Sequence, residues 1–218
     1  MFVIGLGRSF VAVEVKDPIS GKYILYRSEA EHSADCNLHP FNQIPRRIFF
    51  DTSVVNTLVK YAPQVFEQEP LDPALESVLA EDIESLMHIV AVSGHGHWEF
   101  VSSNAMLEEL SQTRSKDIRE ALLDYGVALV EVDCKEEEVR FREDFSRRVV
   151  LSSMLQEMPD VSDRVLLAHA IAMQCDVFCT RDRSTIVSKR SLLPKLNTRI
   201  LTPKEWWAAL RPWARLFA

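Results

Sequence analysis

The stretch Arg47–Leu58, RIFFDTSVVNTL, constrains the fold of this chain more than any other part of its sequence. Its apolar run IFF has the length of a buried strand, and the apolar residues after Asp51 recur at helical spacing. The sequence therefore predicts a strand that leads into a helix, with the Asp51 carboxylate at the carboxyl end of the strand. Ligands of open α/β sheets bind at that end. A purely structural role is the alternative, in which Asp51 only caps the helix, as Thr52 or Ser53 could also do.

The alternation of apolar strands and amphipathic helices continues along the chain. Strands are predicted near residues 47–51, 98–102, 127–132, 176–180 and 198–202. This pattern predicts an α/β fold in which helices cover both faces of a five-stranded parallel sheet. We expect residues 46–218 to form this domain. Residues 1–45 are expected to form an N-terminal extension, which consists of a β-hairpin with its turn at Asp17–Lys22 and a polar linker.

Proline and glycine positions predict where several helices begin and end. A helix is expected to start near Asp72 and Pro73, because proline suits the first turn of a helix. The glycines of residues 94–96 predict a turn, and Gly126 is expected to end the helix that restarts at residues 115–117. Residues 135–157 predict a long, highly charged helix.

A second acidic strand and helix unit lies near the other end of the chain. Asp163 stands in the first turn of a predicted helix, for which Ser162 is the expected cap. The strand VFC follows this helix and carries Thr180 and Asp182 at its end. Glu109 lies on a further predicted helix, within SNAMLEEL. The chain therefore places acids where strands end and where helices begin.

Taken together, these segments resemble the PIN-domain nucleases. The matching residues are Asp51 in FFDTSVVN, Glu109 in SNAMLEEL, Asp163 in SDRVLLAHA and Asp182 in CTRD. The segment ILTPKEWWAAL is similar to the last strand and helix of the family, so the resemblance covers roughly Arg46 to the end of the chain. It implies the strand order 3-2-1-4-5, which would bring the four acids to one edge of the sheet. It also implies Glu109 rather than its neighbour Glu108, because the family pattern has the acid directly before a leucine.

Four carboxylates at one edge of a sheet repel one another, and divalent cations relieve that repulsion. Mg²⁺ or Mn²⁺ is the expected cofactor, since these hard cations take oxygen ligands. Asp51 and Asp163 would be the principal ligands, and Glu109 and Asp182 would complete the site directly or through water. The expected reaction is phosphodiester hydrolysis by metal-activated water, with RNA as the substrate that the resemblance implies.

Three polar residues are secondary candidates for this site. Ser53 and Thr180 could hydrogen-bond a carboxylate ligand or a phosphate. Asn56, one helical turn beyond Thr52, could orient the site, and an ordinary place on the helix surface is equally compatible with its position.

Two other classes of function remain open at this point. In a non-catalytic interaction module, the acids would be helix caps and a protein partner would bind elsewhere. In a metal-dependent phosphatase, the same acids would act on a different phosphate ester. The family also implies further partners, namely a second copy of the chain as a homodimer and a small antitoxin-like protein. The pattern does not choose between a toxin and a housekeeping RNA-processing enzyme.

Composition limits these interpretations. The formal net charge of −7 does not favour nucleic-acid binding, which normally depends on an excess of Lys and Arg. Arginines and lysines at positions 181–190 could contact phosphates, whereas those of the charged helix 135–157 fit exposed ion pairs better. The four cysteines lack the spacing of a disulfide framework, so reduced thiols and a cytoplasmic location are expected. We also expect neither a signal peptide nor a membrane-spanning segment.

Overall fold

The computed structural model of the protein describes residues 14–16, 23–25, 28–129 and 136–216. By their contacts, the residues group into two compact units. The first unit comprises Met1–Ile44, Ala62–His97 and Pro203–Ala218, and the second unit comprises Pro45–Tyr61 and Trp98–Thr202. Neither unit is therefore a continuous segment of the sequence.

Both units combine strands and helices. The described strands are β1 (Glu14–Lys16), β2 (Tyr23–Leu25), β3 (Arg47–Phe50), β4 (Glu99–Val101), β5 (Val177–Cys179) and β6 (Arg199–Leu201). The described α-helices are α1 (Glu29–Leu38), α2 (Thr52–Lys60), α3 (Ala62–Phe66), α4 (Ser77–Gly96), α5 (Asn104–Ser111), α6 (Lys116–Leu129), α7 (Glu136–Leu151), α8 (Val161–Ala172) and α9 (Pro203–Leu210). Short 3₁₀ helices occupy Phe41–Gln43, Ser153–Leu155, Val187–Leu192 and Arg211–Leu216. Within the described ranges, no helix has both the length and the apolar character needed to cross a bilayer.

In the first unit, strands β1 and β2 pair antiparallel, as the sequence predicts, with Glu14 opposite Leu25. The predicted turn of this hairpin, Asp17–Lys22, lies outside the described residues. The expected polar linker is wrong, because α1 occupies most of it. Ser28 starts this helix, since its hydroxyl accepts a hydrogen bond from the Glu31 N–H at 3.2 Å.

Helix α4 departs from its predicted limits at both ends. It begins at Ser77 rather than near residue 72, because the Asp72 carboxylate accepts from the Ala74 N–H at 2.8 Å and holds a turn there. The expected turn at residues 94–96 is also wrong, since the helix continues to Gly96 and ends at the left-handed His97. Residues 83, 86, 89 and 92 give α4 a continuous buried stripe, which packs against α9.

The second unit contains a parallel sheet with the strand order β4-β3-β5-β6. Ile48 of β3 pairs with Phe100 of β4 on one side and with Val177 of β5 on the other. Ile48, Phe49 and Phe50 are each at most 2% exposed. Because successive residues of a strand point to opposite faces, both faces of β3 are covered. The predicted α/β class with a parallel sheet is confirmed.

The carboxyl ends of β3 and β5 meet at the same edge of this sheet. The Asp51 N–H donates to the Cys179 carbonyl at 3.0 Å, and the Thr180 N–H donates to the Leu201 carbonyl at 3.0 Å. Asp51 and Thr180 therefore leave adjacent strands side by side, and α2 begins directly after Asp51.

The expected five-stranded sheet is not confirmed, because four strands form the parallel sheet within the described residues. Of the predicted strand 127–132, residues 127–129 belong to the last turn of α6 and the rest lie outside the described ranges. Gly126 does not end α6 as predicted. It lies buried inside the helix, where a Cβ atom would stand 2.8 Å from Leu107 Cδ2 and 3.1 Å from Leu110 Cδ1. Its lack of a side chain allows α6 to approach α5 closely.

Gly126→Val is expected to lower the free energy of unfolding by about 1–3 kcal/mol, because the added carbons overpack the contact between α5 and α6. Urea unfolding of the variant and the wild type measures the loss. Ala128→Val is the matched control, since Ala128 lies exposed on the same helix and should cost less than about 1 kcal/mol through helix propensity. Equal losses in the two variants would show that the close approach at Gly126 is not important for stability.

Candidate metal site

Asp51 is a buried carboxylate held by two hydroxyl groups. It is 5% exposed, and its Oδ2 accepts from the Ser53 hydroxyl at 2.5 Å and from the Thr180 hydroxyl at 2.7 Å. These hydroxyl oxygens accept in turn from the backbone N–H groups of Arg181 at 2.9 Å and Asp182 at 3.0 Å. Each hydroxyl has a single proton, so the backbone donors direct both protons toward Asp51. The surroundings of Asp51 therefore favour a charged carboxylate, against its burial.

The Asp51 side chain does not serve as a helix cap. Asp51 occupies the N-cap position of α2, but its carboxylate makes no capping hydrogen bond. Thr52 and Ser53 lie inside the helix, so the alternative caps suggested by the sequence are wrong. Burial raises the pKa of Asp51 above its ordinary value, and the hydrogen bonds from Ser53 and Thr180 offset part of that rise. The carboxylate is thus held from two sides, by Ser53 of α2 and by Thr180 directly after β5.

Glu109 extends the site from α5 toward the start of α8. Its Oε2 accepts from the Ser162 hydroxyl at 3.2 Å. The cap of α8 is Asp160 rather than the predicted Ser162, because the Asp160 carboxylate accepts from the Ser162 N–H at 2.7 Å. Burial raises the pKa of Glu109, and the negative charges of Asp51 and Asp160 add to the rise. Glu109 and Asp51 therefore belong to one electrostatic cluster.

The neighbouring Glu108 lies in different surroundings. It lines a cleft of about 540 Å³, to which Glu143, Ser146 and His169 also contribute. Burial lowers the pKa of His169, while the charges of Glu143 and Glu108 act in the opposite direction. Of this pair, Glu109 is thus the acid whose pKa the charge of Asp51 raises.

Thr185 joins the remaining two acids. Its hydroxyl oxygen lies 2.9 Å from Asp163 Oδ2 and 2.6 Å from Asp182 Oδ2. Its backbone N–H donates to Asp182 Oδ1 at 2.8 Å, and Ser184 donates to the same oxygen through its N–H and its hydroxyl. Two carboxylates, one from α8 and one from the end of β5, therefore converge on a single hydroxyl.

These two acids differ in how readily they ionise. Burial raises the pKa of Asp163 to about 6; the Thr185 hydrogen bond opposes the rise, and the charges of Asp51, Asp160 and Asp182 add to it. Burial also disfavours ionisation of Asp182, but hydrogen bonds from Thr185 and Ser184 bring the pKa of Asp182 below its ordinary value. Asp182 is therefore charged at neutral pH, and Asp163 is the first acid of the pair to take up a proton.

The four acids of the cluster form no ion pair with a basic side chain among the described residues. Among the described residues, none of the four forms an ion pair with Lys, Arg or His: Asp51, Glu109, Asp163 and Asp182. Carboxylates elsewhere in the second unit are paired, for example Glu99 with Arg47, and Glu138 with Arg142 at 2.7 Å. Within the described residues, the negative charge of the cluster is therefore offset by hydroxyl and N–H donors.

Of the three secondary candidates for the site, two contact Asp51 and the third does not. Ser53 and Thr180 both donate to Asp51, so both belong to the site. Asn56 lies exposed on α2, and it makes no hydrogen bond to the acids among the residues that the structure describes.

The donor chemistry of the cluster fits Mg²⁺ or Mn²⁺, although the protein does not supply a complete cage. Among the described residues, no three His, Cys, Asp or Glu side chains are arranged to hold a metal ion. Mg²⁺ commonly binds through only one or two carboxylates and completes its coordination with water. Asp163 and Asp182, which share Thr185, would be the first such pair.

A buried hydroxyl also favours a ligand here. In the described structure, Thr52 Oγ1 is buried with no hydrogen-bond partner of normal geometry, yet it is near enough to Glu109 to lower the pKa of that acid. Thr52 as a whole is 9% exposed. Unpartnered buried hydroxyls are uncommon and costly, so a bound water or ion beside Glu109 would satisfy this group.

Two of the basic side chains near the acids are engaged within the protein. Arg181 Nη1 donates to Thr57 Oγ1 at 2.8 Å, and Arg190 Nη1 donates to the Ile200 carbonyl at 3.1 Å. On α7, Arg142 and Arg147 form exposed ion pairs with neighbouring acids, as the sequence favoured. Phosphate contact by any of these residues stays a prediction.

The raised pKa of Asp163 predicts how the metal-free protein responds to pH. Its value of about 6 in the folded state exceeds the ordinary 3.8. Between these values the folded state binds more protons than the unfolded state, so the contribution of Asp163 to stability falls as pH rises from about 4 to about 6. Solvent screening of this half-exposed group limits the expected effect to about 1 kcal/mol.

Urea unfolding in EDTA at pH 5 and pH 7, for the wild type and Asp163→Asn, measures that contribution. Other groups titrate in both proteins. The difference in the free energy of unfolding between wild type and variant therefore reports the contribution of Asp163. The wild type should lose stability relative to the variant as pH rises, and a difference that does not change with pH would contradict the prediction.

Comparisons of the chain with models of protein families, with curated proteins and with solved structures find no match. The functional interpretation therefore depends on the geometry of the acids and on the motifs that carry them.

Two residues of this cluster are not among those predicted from the sequence. Thr185 follows Asp182 by three positions, a spacing at which side-chain and backbone hydrogen bonds commonly close a turn, so local sequence contained a signal for its contact with Asp182. Its contact with Asp163 had no such signal. Asp160, at the start of α8, raises the pKa of both Glu109 and Asp163 and was overlooked in favour of Ser162.

Proposed function

We propose that this protein is a Mg²⁺- or Mn²⁺-dependent phosphodiesterase, most specifically an endoribonuclease of the PIN type. The observation that carries the proposal is the cluster of four acids without a cationic partner among the described residues. Such a cluster is stable when external cations neutralise it. Each acid lies in the motif that resembles the PIN-domain nucleases, which is why RNA is the proposed substrate.

The proposal assigns a role to each side chain. Asp163 and Asp182 would hold a cation together, since both reach the same hydroxyl. Asp51 would supply fixed negative charge, kept in place by Ser53 and Thr180. Glu109 would complete the site directly or through water. A bound divalent cation would neutralise the scissile phosphate and make water a better nucleophile.

The proposal extends to the PIN-like strand order 3-2-1-4-5. That order requires one more strand beside β4. At that edge the Ser102 N–H donates to the Leu129 carbonyl at 3.1 Å, directly before the residues that the structure does not describe. A cytoplasmic location, a homodimer and a small antitoxin-like protein partner belong to the same proposal, as implications of the resemblance.

The test is a digest of mixed single-stranded RNA by the purified protein, with Mn²⁺ or Mg²⁺ and with EDTA. The proposal expects internal cleavage that needs the metal. A parallel assay with p-nitrophenyl phosphate covers the phosphatase alternative. Cleavage of that ester without RNA cleavage would replace the proposed activity with a phosphatase, and cleavage of RNA in EDTA would exclude the metal-dependent reaction.

A further inference from the structure

Thr185 has an unusual position between two carboxylates. Its hydroxyl oxygen is within hydrogen-bonding distance of both Asp163 and Asp182, and it has one proton to donate. The shorter distance is to Asp182, which also accepts the Thr185 N–H. The hydroxyl can therefore donate to only one of the two carboxylates at a time, and Asp163 and Asp182 compete for the same proton.

A structural role for Thr185 explains only half of this arrangement. The backbone N–H and hydroxyl bonds to Asp182 close the local turn after β5, and Ser184 supports the same turn. The contact with Asp163 spans 22 residues and brings a second carboxylate to the same hydroxyl. Two ionised carboxylates against one hydroxyl repel each other unless a positive charge lies close to both.

A second observation, on the Glu109 side of the cluster, favours a ligand. The Thr52 hydroxyl is buried without a hydrogen-bond partner of normal geometry in the described structure. The hydroxyls of Thr52 and Thr185 both lie beside carboxylates of the cluster.

We propose that Thr185 is a positioning residue, which holds the Asp163 and Asp182 carboxylates together so that one divalent cation can bind both. This inference depends on the proposed metal site. Thr185 does not itself need to contact the cation or the substrate. Its effect is to fix the two oxygens at a common point, so that binding does not have to order them.

Calorimetric titration of Mn²⁺ into Thr185→Val tests this role, because valine keeps the shape of threonine and removes the hydroxyl. The dissociation constant is expected to rise about tenfold or more, the usual effect of removing a group that orients a metal ligand. Thr185→Ser should restore the wild-type affinity, since it restores the hydroxyl. Ser188→Ala is the matched control, because the exposed Ser188 hydroxyl donates to the Ser184 carbonyl in the same segment and touches none of the acids.

Unfolding midpoints in EDTA separate positioning from folding. Thr185→Val should keep the metal-free midpoint of the wild type; if valine lowers it, Thr185→Ala repeats the test without a methyl group against the carboxylates. Wild-type affinity in both hydroxyl-free variants would overturn the positioning role. If Asp163→Asn weakens binding while these variants do not, only this inference fails. If the wild type binds no Mn²⁺, the proposed metal site fails and this inference with it.

Discussion

Asp163→Asn is expected to abolish the stabilisation of this protein by Mn²⁺. A ligand present at about 100 times its dissociation constant raises the free energy of unfolding by about 2.7 kcal/mol, provided that it binds only the folded state. Asparagine preserves the size of the side chain but removes the charge that a hard cation requires. Thermal unfolding with and without Mn²⁺ measures this difference and needs no knowledge of the substrate.

The metal-free variant adds a second, independent expectation. Asp163 lies in the field of three other acids, so its replacement by a neutral side chain should leave the metal-free protein at least as stable as the wild type at pH 7. A purely structural acid would give the opposite result. Asp144→Asn makes the same chemical change on the exposed face of α7, where Asp144 pairs with Arg147, and it should leave the response to Mn²⁺ unchanged. Equal stabilisation of Asp163→Asn and the wild type would remove Asp163 from the metal site.

Asp51→Asn is expected to reduce metal-dependent RNA cleavage by about a hundredfold or more, the usual cost of removing a fixed group that stabilises charge in a reaction. The two hydroxyls that face Asp51 have their protons directed toward it by the backbone N–H groups of Arg181 and Asp182. Both protons reach the single oxygen Oδ2, which an asparagine carbonyl could replace, so the variant removes chiefly the negative charge. Initial rates of cleavage at saturating Mn²⁺ measure the loss.

The matched control for this variant is Asp124→Asn, since Asp124 lies exposed on α6. It should cleave RNA at the wild-type rate. Unfolding in EDTA shows whether Asp51→Asn still folds, because an amide among oriented hydroxyls also weakens packing at the end of β3. A folded Asp51→Asn that retains full activity would mean that the buried carboxylate has a structural role only.

The central motif shows how far local sequence can determine this fold. The run IFF before Asp51, and the helical spacing after it, fixed β3 and α2 because burial on both faces of a strand requires uninterrupted apolar residues. The same reasoning located β4, β5, β6 and α9. That the strands before Asp51 and Asp182 are neighbours was implied by the resemblance, and the pairing of β3 with β5 agrees with it.

Helix limits were less predictable, because tertiary packing outweighs local preference. Gly126 resembles a helix terminator in sequence, yet it lies inside α6 where the absence of a side chain permits contact with Leu107. The glycines at the end of α4 remain helical because a long apolar stripe is buried along that helix. In both places, the favourable burial of neighbours compensates for the poor helix propensity of glycine.

By itself, the sequence determined the parallel α/β class, which follows from the periodicity of its apolar residues. The set of four acids is what the resemblance to the PIN-domain nucleases implies, and its function as a site stays a prediction. Only the tertiary structure decided that Asp163 and Asp182 share the Thr185 hydroxyl, that Thr180 donates to Asp51, and that the four acids lack a cationic partner among the described residues. The physical reason is distance along the chain: hydrogen bonds and charge interactions between residues far apart in sequence exist only after the strands and helices have packed.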